Sequence, residues 1–360
     1  MKYDYLIVGA GFFGSICAYE LNKRGKNVCV IDKRDHIGGN VYTEEKEGIH
    51  IHKYGPHIFH TDSKKVWKWI NQFCDFNNFL FQPVATLDGK MYSLPFNMWT
   101  MSQVYGITSP ITLDNIGLGN GNGNTYKSVE DFAIAKVGRE VYDILIKGYT
   151  TKQWGRDPSK LPASIIKRLP IRRTYDNRYF NDKYQGIPIG GYTQIFKKLL
   201  EGIDVFKGFD YLDDIDLLPE YDELIYTGPI DEFYHWEHGK LEYRSLKWEE
   251  ETLNVDNYQG TAMMNYLDVN IPYTRIIEHK HFDYKKSNTT IISKEYPQSK
   301  GDPYYPICDS KNMNRYKKYK KMPKIDRRDK PVHFGGRLAE YKYYDMHQVI
   351  GSALSFIKKL

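Results

Sequence analysis

The sequence has little cysteine and no long apolar run, and both shortages restrict what the protein can be. Its four cysteines, Cys17, Cys29, Cys74 and Cys308, are scattered, and no two form a CxxC pair. This distribution predicts reduced thiols in a cytoplasmic protein rather than a disulfide framework or a cysteine zinc site. No stretch approaches the roughly 20 apolar residues that a membrane-spanning helix needs. The N-terminal segment is interrupted by Asp4 and by glycines, so it lacks the pattern of a signal peptide.

Charge of one sign is not in large excess either. The chain has 51 lysines and arginines against 45 acidic residues, a net charge of +6. Much of the surplus lies between Lys311 and Lys330, where basic side chains are interleaved with Tyr316 and Tyr319. Such a segment can bind nucleic acid, but we favour a solvated helix face followed by a loop. The modest overall charge suits a small anionic ligand better, so we expect no nucleic-acid partner.

What the sequence does have is a dinucleotide-binding pattern at its start. An apolar strand ends at Val8 and runs into the glycine turn Gly9-Ala10-Gly11-Phe12-Phe13-Gly14. A helical pattern continues to Arg24, and a second apolar strand ends in Asp32. A strand, a glycine turn, a helix and a strand with a terminal acid are typical of a Rossmann-like unit that holds the adenosine half of a dinucleotide.

Each glycine of the turn has a physical purpose in such a unit. Gly9 makes the sharp turn out of the strand, Gly11 lets the backbone approach a pyrophosphate, and Gly14 lets the helix pack closely on the strand. The amides and the dipole at the start of the helix favour negative charge. Asp32 stands close to where an acid meets the ribose hydroxyls. A glycine turn that binds nothing is the alternative.

The residues after the second strand indicate which dinucleotide is bound. Arg34 is followed, after three residues, by Gly38-Gly39-Asn40. An arginine and a glycine pair at this spacing form the extension seen in amine-oxidase-like FAD proteins rather than in simple NAD dehydrogenases. The glycines would let the backbone pass beside the flavin's diphosphate. A Gly-Gly surface turn is the alternative, but we predict FAD as the cofactor.

Three histidines near the next turn raise the question of a metal site. His52, His57 and His60 surround the dipeptide Gly55-Pro56. No cysteine or carboxylate cluster accompanies them, and Gly55-Pro56 breaks any helix that would align them. We therefore expect no metal, and instead a glycine-proline turn that carries histidines against a cofactor ring.

The rest of the chain alternates between helical and strand patterns. Residues 62–74 and 128–146 have helical periodicity, and 79–94 has the pattern of a strand pair. The Gly/Asn-rich run at 117–124 predicts a flexible loop. The region 147–180 is crowded with aromatic residues and arginines but is poor in apolar periodicity. Because arginines bind diphosphates and tyrosines stack on bases, this region predicts a substrate lid rather than simple core.

These segments together predict an α/β protein with a Rossmann-like FAD-binding domain, an inserted helical domain and an antiparallel β-sheet domain. The expected boundaries are 1–61, 190–240 and 331–360 for the discontinuous FAD domain, 62–150 for the mainly helical insertion, 151–189 for the lid, and 241–330 for the antiparallel sheet with its connecting segment.

The motifs together resemble the UDP-galactopyranose mutase family, and the resemblance covers nearly the whole chain. Besides the N-terminal turn and its extension, it rests on Tyr54 to Thr61, Lys152-Gln153-Trp154, Arg168-Leu169-Pro170, Thr174 to Phe180, and Gly335-Gly336-Arg337-Leu338 with Tyr343 and Asp345. It implies a flavoenzyme built from an FAD domain, a helical domain and an antiparallel sheet.

The resemblance also implies which residues form the site. Arg168 and Arg275 would hold the UDP diphosphate and His57 would influence the flavin, so these three are the candidate catalytic residues. Tyr149 would stack on the uracil. The candidate substrate contacts are Tyr149, Trp154, Arg168, Asn177, Tyr179, Arg275, Tyr305 and Tyr343. The candidate cofactor contacts are Gly9, Gly11, Phe12, Phe13, Gly14, Asp32, Lys33, Gly38, Gly39, Asn40, His57, Ile58, Gly336, Arg337, Tyr343, Asp345 and Met346.

The reaction that the resemblance implies interconverts UDP-galactopyranose and UDP-galactofuranose with no net redox, as an isomerase of the intramolecular transferase class. N5 of reduced FAD attacks the anomeric carbon, and UDP leaves a covalent flavin–sugar adduct and returns after the ring has reclosed. An external electron donor would reduce the flavin, and the product would serve galactofuranose-containing cell-surface polysaccharides. A homodimer is expected on the same ground.

Two other functions are compatible with the nucleotide-binding pattern. An FAD-dependent amine oxidase-like oxidoreductase would use oxidised flavin, oxygen and an apolar or amine pocket. A non-enzymatic UDP-sugar binder would not depend on the flavin redox state. The pair of arginines in an aromatic-rich region argues against the oxidase. The sequence leaves open whether Tyr304 or Tyr305 contacts the phosphates, and which glycan consumes the product.

Overall fold

The computed structural model describes residues 2–115, 126–167 and 169–360. The predicted loop at 117–124 and the candidate Arg168 lie outside the described residues. Contacts divide the chain into two compact units. The first comprises Met1–Asn77, Lys183–Tyr243 and Tyr305–Leu360, and the second comprises Asn78–Asp182 and Arg244–Tyr304.

The helices and strands follow one another along the chain in three stretches. Up to residue 77 they are β1 (Lys2–Val8), α1 (Phe12–Asn22), β2 (Val28–Asp32), β3 (Thr43–Lys46), β4 (Ile49–His52), β5 (Phe59–Thr61) and α2 (Lys64–Ile70). Up to residue 182 they are β6 (Val84–Leu87), β7 (Lys90–Ser93), α3 (Met98–Tyr105), α4 (Pro110–Asn115), α5 (Val129–Val137), α6 (Arg139–Val141), a π-helical turn (Tyr142–Lys147) and α7 (Gly148–Trp154). The remainder consists of β8 (Tyr184–Gly186), α8 (Thr193–Leu199), β9 (Asp204–Lys207), β10 (Glu220–Tyr226), α9 (Ile230–Phe233), β11 (Tyr243–Leu253), β12 (Met263–Tyr266), β13 (Arg275–Glu278), β14 (Thr290–Gln298), β15 (Tyr305–Pro306), α10 (Ser310–Tyr319), β16 (Val332–Phe334), α11 (Gly336–Ala339) and α12 (Met346–Ile357).

The first unit is built on a five-stranded sheet in the order β16-β10-β1-β2-β9. All of its pairings are parallel. Parallel strands are usually covered on both faces, and β2 is accordingly buried along its whole length. Buried side chains of α1, α8 and α12 pack with Ile7 and Val30 on one face. Leu6 and Leu224 belong to a separate buried cluster, which also contains Tyr221 and Phe233.

The register of this sheet aligns the carboxyl ends of its strands. Val8 lies opposite both Ile31 and Tyr226, and Tyr226 lies opposite Phe334. The loops that leave these strands therefore emerge at one edge. In open parallel sheets this edge is where ligands bind. The motifs Gly9–Gly14 and Gly335–Arg337 both begin here, at the ends of β1 and β16.

The second unit contains strands in the order β11-β14-β13-β12-β6-β7. The antiparallel sheet predicted over 241–330 is therefore extended by β6 and β7, which lie within the predicted helical insertion. The pairing of β12 with β6 is parallel, so the sheet is mixed. Ile276, Ile277, Ile291 and Ile292 are fully buried or nearly so. Helices α3 and α5 and the π-helical turn contribute to a further buried cluster in this unit.

The long helix predicted over 128–146 is broken at Gly138. This residue ends α5 with φ +88° and ψ 165°, and the chain resumes as α6 and the π-helical turn. Glycine adopts that backbone conformation without the steric penalty that other residues meet. The start of the helix is as predicted, because Ser128 accepts a hydrogen bond from the backbone amide of Asp131.

The compact units divide the chain at positions that differ from the expected domain boundaries. Residues 62–77 and 183–189, assigned to the helical insertion and the lid, lie in the first unit, as do residues 305–330. Residues 78–182 and 244–304 of the predicted helical, lid and sheet segments lie together in the second unit. The division into three functional parts stays a prediction. Within the described residues, no helix combines the length and the apolar character needed to cross a membrane.

Candidate active site

Two glycine-containing loops lie side by side at the carboxyl edge of the parallel sheet. Gly38 donates its amide to the carbonyl of Ala10 at 2.9 Å. A Cβ added at Gly39 would lie 3.1 Å from Cα of Gly11, so the two backbones approach with no side chain between them. A Cβ at Gly11 would meet nothing closer than 3.9 Å, so this glycine presents bare backbone. The arrangement forms a backbone cradle of the kind that approaches a diphosphate.

The start of α1 supplies donors to this cradle. Gly11 is the N-cap, and no side chain caps the helix there. The first amides of a helix have no partner within it and are available to an anion. Gly14, in the first turn, is packed tightly, because an added Cβ would lie 2.0 Å from the carbonyl oxygen of Gly9. Phe12 and Phe13 are buried at the start of α1, where their rings contact Phe196 and Phe356.

Asp32 ties the two loops together at the end of β2. Its Oδ2 accepts the amide of Ala10 at 2.7 Å, and its Oδ1 accepts the amide of Arg34 at 2.9 Å. Each carboxylate oxygen retains a further acceptor site, so contact with a ribose hydroxyl stays possible. Arg34 in turn donates to the side-chain oxygen of Asn40 at 3.0 Å. Lys33, between these residues, is exposed.

The chain returns to the same edge after β16. A Cβ at Gly335 would lie 2.0 Å from the ring of Phe13, so only glycine fits there. Gly336 follows with φ +88° and begins α11. Arg337 on α11 lies over the ring of Tyr343, with its guanidinium carbon 5.5 Å from the ring centroid. Tyr343 stacks on Tyr305 with centroids 5.4 Å apart, so three predicted site residues come together here.

His57 lies in the turn before β5, next to Ile58, which is buried. Its Nδ1 is 2.7 Å from the carbonyl oxygen of Gly55, a contact that requires the proton on Nδ1 and leaves a lone pair on Nε2. Desolvation lowers the pKa of His57 to about 4, and the positive charge of Arg337 acts in the same direction. The imidazole is therefore neutral at pH 7.

The three histidines that raised the question of a metal do not form one site. His52 Nδ1 accepts the backbone amide of His57 at 3.2 Å. His60 instead lies near Asp345 and His347, and ligand atoms of these three are within 4.8 Å of one another. Asp345 is the N-cap of α12, where its backbone amide donates to the side chain of Gln348. A cap explains the acid on this helix, and the expectation of no metal stays a prediction.

The first unit thus fits an FAD. The bare glycine cradle, the uncapped start of α1 and the acid at the end of β2 are the features that a dinucleotide diphosphate and ribose require. The residues that would hold the cofactor are those predicted from the sequence on the loops after β1, β2 and β16, with His57, Ile58 and the start of α12, where Asp345 and Met346 lie.

In the second unit, Arg275 is held between an acid and a phenol. Its Nε lies 3.2 Å from Oε1 of Glu295, which is 1% exposed. Another guanidinium nitrogen donates to the hydroxyl of Tyr149. Thr274 donates to the same oxygen of Glu295 at 2.8 Å. Burial raises the pKa of Glu295, while Arg275 and Thr274 oppose that shift. The guanidinium is therefore fixed in orientation before any anion binds.

Tyr149 belongs to the same cluster. Desolvation raises its pKa to about 12, Arg275 opposes the shift, and Glu295 and Tyr179 add to it. The phenol of Tyr149 therefore stays protonated at neutral pH and can donate to a phosphate or sugar oxygen.

The segment that carries Asn177 and Tyr179 is organised by Arg172. Its guanidinium donates to the carbonyls of Arg178 and Phe180 and to the side-chain oxygen of Asn181. Tyr179 is also fastened by its backbone amide, which donates to the carbonyl of Phe81 at 2.7 Å. Trp154 is the last residue of α7 and is half-buried.

The geometry distinguishes the two neighbouring tyrosines that the sequence left open. Tyr304 is 5% exposed, and its hydroxyl accepts from the indole nitrogen of Trp248 at 3.3 Å. Tyr305 is more exposed and stacks on Tyr343. Tyr305 is therefore the better candidate for a ligand contact.

Comparison with known proteins identifies the family. A family model described as UDP-galactopyranose mutase matches residues 144–343, and one described as an NAD(P)-binding Rossmann-like domain matches residues 7–73. A probable UDP-galactopyranose mutase of Klebsiella pneumoniae is 40% identical over 98% of this chain and 93% of its own length. The chain belongs to the UDP-galactopyranose mutase family. The predicted resemblance is confirmed.

Another relative and a solved structure also carry the name of a mutase. A dTDP-fucopyranose mutase of Escherichia coli is 38% identical over 97% of this chain and 96% of its own length. A solved structure, "Crystal structure of reduced UDP-Galactopyranose mutase", matches with a TM-score of 0.76 at 15% identity, over 99% of this chain and 93% of that one. That structural likeness shows the fold, and the predicted α/β class with its Rossmann-like flavoprotein domain is confirmed.

Reasoning from the sequence missed residues that act behind the predicted contacts. Glu295 is paired with Arg275 by the register of β14 on β13. The contact follows from the strand register alone, because Arg275 and Glu295 lie on different strands and are not neighbours in the sequence. Arg172 is one of several arginines in the region 147–180, and nothing in the sequence distinguishes it as the residue that holds the segment around Tyr179. The one signal for Glu295 is that an acidic residue occurs within β14, most of whose residues are buried, and a buried acid needs a partner.

Proposed function

We propose that this mutase-family chain is a UDP-galactopyranose mutase that works with reduced FAD and interconverts UDP-galactopyranose and UDP-galactofuranose with no net redox. The observation that carries the proposal is the Arg275 cluster, in which a guanidinium is oriented by buried Glu295 and by Tyr149. A diphosphate is an anion that such a preorganised guanidinium can bind through forked, charge-assisted hydrogen bonds.

When bound, the reduced flavin would supply the nucleophile for the anomeric carbon of the sugar. The chain's own contribution is binding and charge. Arg275 would hold the diphosphate as it departs and keep it in place for its return, because its orientation is set in advance. Tyr149 and Tyr179 would donate to phosphate or sugar oxygens, and the ring of Tyr149 would stack on the pyrimidine.

His57 is suited to accept a hydrogen bond rather than to donate a proton. Its Nδ1 proton is committed to the carbonyl of Gly55, and its pKa of about 4 keeps Nε2 unprotonated at neutral pH. We infer that it orients the flavin or a substrate hydroxyl by accepting from it. Electrons for the flavin must come from an external donor, since the isomerisation yields none. A cytoplasmic homodimer stays a prediction.

The competing function is an amine oxidase-like oxidoreductase with the same nucleotide-binding fold. It would require an apolar or amine-binding pocket. The Arg275 cluster is instead built to receive an anion, which supports the mutase. The relative named dTDP-fucopyranose mutase makes a thymidine-linked sugar a second substrate worth testing.

The deciding experiment is chromatography of UDP-galactofuranose, and in parallel of dTDP-fucopyranose, incubated with the flavin-loaded protein with and without dithionite. We expect conversion of UDP-galactofuranose to UDP-galactopyranose only under reduction. Arg275→Ala should abolish turnover while bound flavin is retained. Arg139→Ala is the control, because Arg139 is exposed and pairs with Asp143 on the surface. Oxygen consumption with an amine, and no sugar conversion, would instead support the oxidase.

A further inference from the structure

Lys152, in the motif Lys152-Gln153-Trp154, has an unusual set of partners. Its ammonium donates to the backbone carbonyls of Tyr266, Asp268, Ile271 and Tyr273 at 2.7, 2.7, 3.1 and 3.1 Å. These are more acceptors than an ammonium has N–H bonds, so the charge lies within a ring of carbonyl oxygens.

The ring is formed by one short piece of chain. Tyr266 is the last residue of β12, and Tyr273 is the next residue but one before Arg275, which begins β13. The Lys152 ammonium therefore binds both ends of the turn that connects β12 to Arg275 at the start of β13. Desolvation lowers the pKa of Lys152 to about 8, and the negative charge of Asp268 opposes the shift. At neutral pH the charged form still predominates.

Lys152 itself lies in the helix α7. Tyr149 precedes Lys152 on this helix by about one turn, so the two side chains lie on the same side of it. Another cation, the buried Arg244, holds the end of the helix, since its Nε donates to the carbonyl of Gln153 at 2.9 Å. Arg244 is 6% exposed, and its guanidinium is so close to Gly155 that a Cβ there would lie 2.9 Å from it.

We propose that Lys152 is a positioning residue for nucleotide binding: by joining α7 to the turn before β13, it sets Tyr149 against Arg275. The proposal rests on the proposed function, because it assumes that these two residues bind UDP. Lys152 itself would not touch the ligand. A lysine suits this purpose, because its compact ammonium can lie at the centre of a ring of main-chain oxygens, whereas the donors of a guanidinium are spread over a wider planar fork.

The test compares Lys152→Met with Lys147→Met in the flavin-loaded protein, using calorimetry with UDP alone. Lys147 is the matched control, because it is exposed and lies just before α7. We expect Lys152→Met to raise the dissociation constant for UDP about tenfold or more with flavin content unchanged. Lys147→Met should leave it within about twofold. Equal UDP affinity in the two variants would overturn the proposal.

A double-mutant cycle separates positioning from general stabilisation. If Lys152 acts through Tyr149, then Lys152→Met should weaken UDP binding much less in a Tyr149→Ala background than alone, with a coupling of about tenfold. Purely additive effects would mean that Lys152 only stabilises the fold, and would overturn the proposal.

Two further outcomes are kept distinct. If Lys152→Met does not fold, Lys152→Arg decides, since it keeps the charge; we expect UDP affinity to fall several-fold against a Lys147→Arg control, and unchanged affinity would overturn the inference. If the unaltered flavin-loaded protein does not bind UDP, the proposed function itself fails, and the inference with it.

Discussion

Glu278 ends β13 with no exposed surface, although it is a carboxylate. Burial raises its pKa, but its hydrogen bonds outweigh that effect. Its oxygens accept from the amides of Tyr258 and Gln259 at 3.0 and 2.9 Å and from the hydroxyl of Thr290 at 2.8 Å. His281 lies 3.2 Å away. Together these donors bring the pKa of Glu278 to about 2.

This shift predicts how the stability of the protein depends on pH. Because the pKa of Glu278 is lower in the folded state than in the unfolded chain, its stabilisation is complete above about pH 5 and is lost as pH falls towards 2. The full contribution is about 3 kcal/mol. Urea unfolding measured from pH 6 to pH 2.5 should show a decline that is smaller in Glu278→Gln. The same decline in both proteins would show that other groups cause it.

At the scale of single elements, the position of α1 depends on Gly14. An added Cβ would lie 2.0 Å from the carbonyl oxygen of Gly9 and 3.1 Å from the side chain of Ile7. Backbone cannot move aside as a flexible side chain does. A larger residue would therefore displace the helix from β1, and with it the amides that we propose bind the diphosphate.

We expect Gly14→Ala to destabilise the protein by about 1–3 kcal/mol, as overpacking does, and to lower the flavin content of the purified protein. Gly351→Ala is the matched control, because Gly351 lies within α12 and an added Cβ there would meet nothing within 4 Å. That variant should be more stable by about 0.5–1 kcal/mol. The measurements are urea unfolding and the ratio of flavin to protein absorbance. Normal flavin content in Gly14→Ala would mean that the turn tolerates the displacement.

At the scale of the whole molecule, neither compact unit is a continuous piece of chain. The parallel sheet of the first unit takes β1 and β2 from the N-terminal segment, β9 and β10 from the middle, and β16 from the end. The core against α1 likewise needs side chains of α8 and α12. Folding of the cofactor-binding unit therefore has to wait for contacts between residues far apart in sequence.

A chain ending at Asp182 should consequently fail to fold and fail to bind FAD. It would lack β9, β10 and β16, and α1 would lose its partners α8 and α12. A chain ending at Lys358 is the control, because it lacks only exposed residues after α12. Far-UV circular dichroism and bound flavin absorbance distinguish the two. A folded, yellow protein ending at Asp182 would show that the N-terminal segment is an independent domain.

The predicted patterns and the structure agree best where the interactions are local. The glycines of the first turn, the acid at the end of β2 and the cap at Ser128 each act on residues within a turn or a neighbouring strand. The prediction of one continuous helix over 128–146 was wrong at Gly138. The apolar periodicity continues through this position, but the backbone conformation of the glycine ends the helix there.

By itself, the sequence determined the nucleotide-binding unit, the flavoprotein class and the family, because these depend on spacings within short segments that backbone geometry converts directly into structure. Only the tertiary structure decided which groups stand behind the ligand contacts. Glu295 meets Arg275 through a strand register, and Lys152 meets four carbonyls through the folding of a distant turn. Such contacts are set by how whole elements pack, which no local pattern in the sequence encodes.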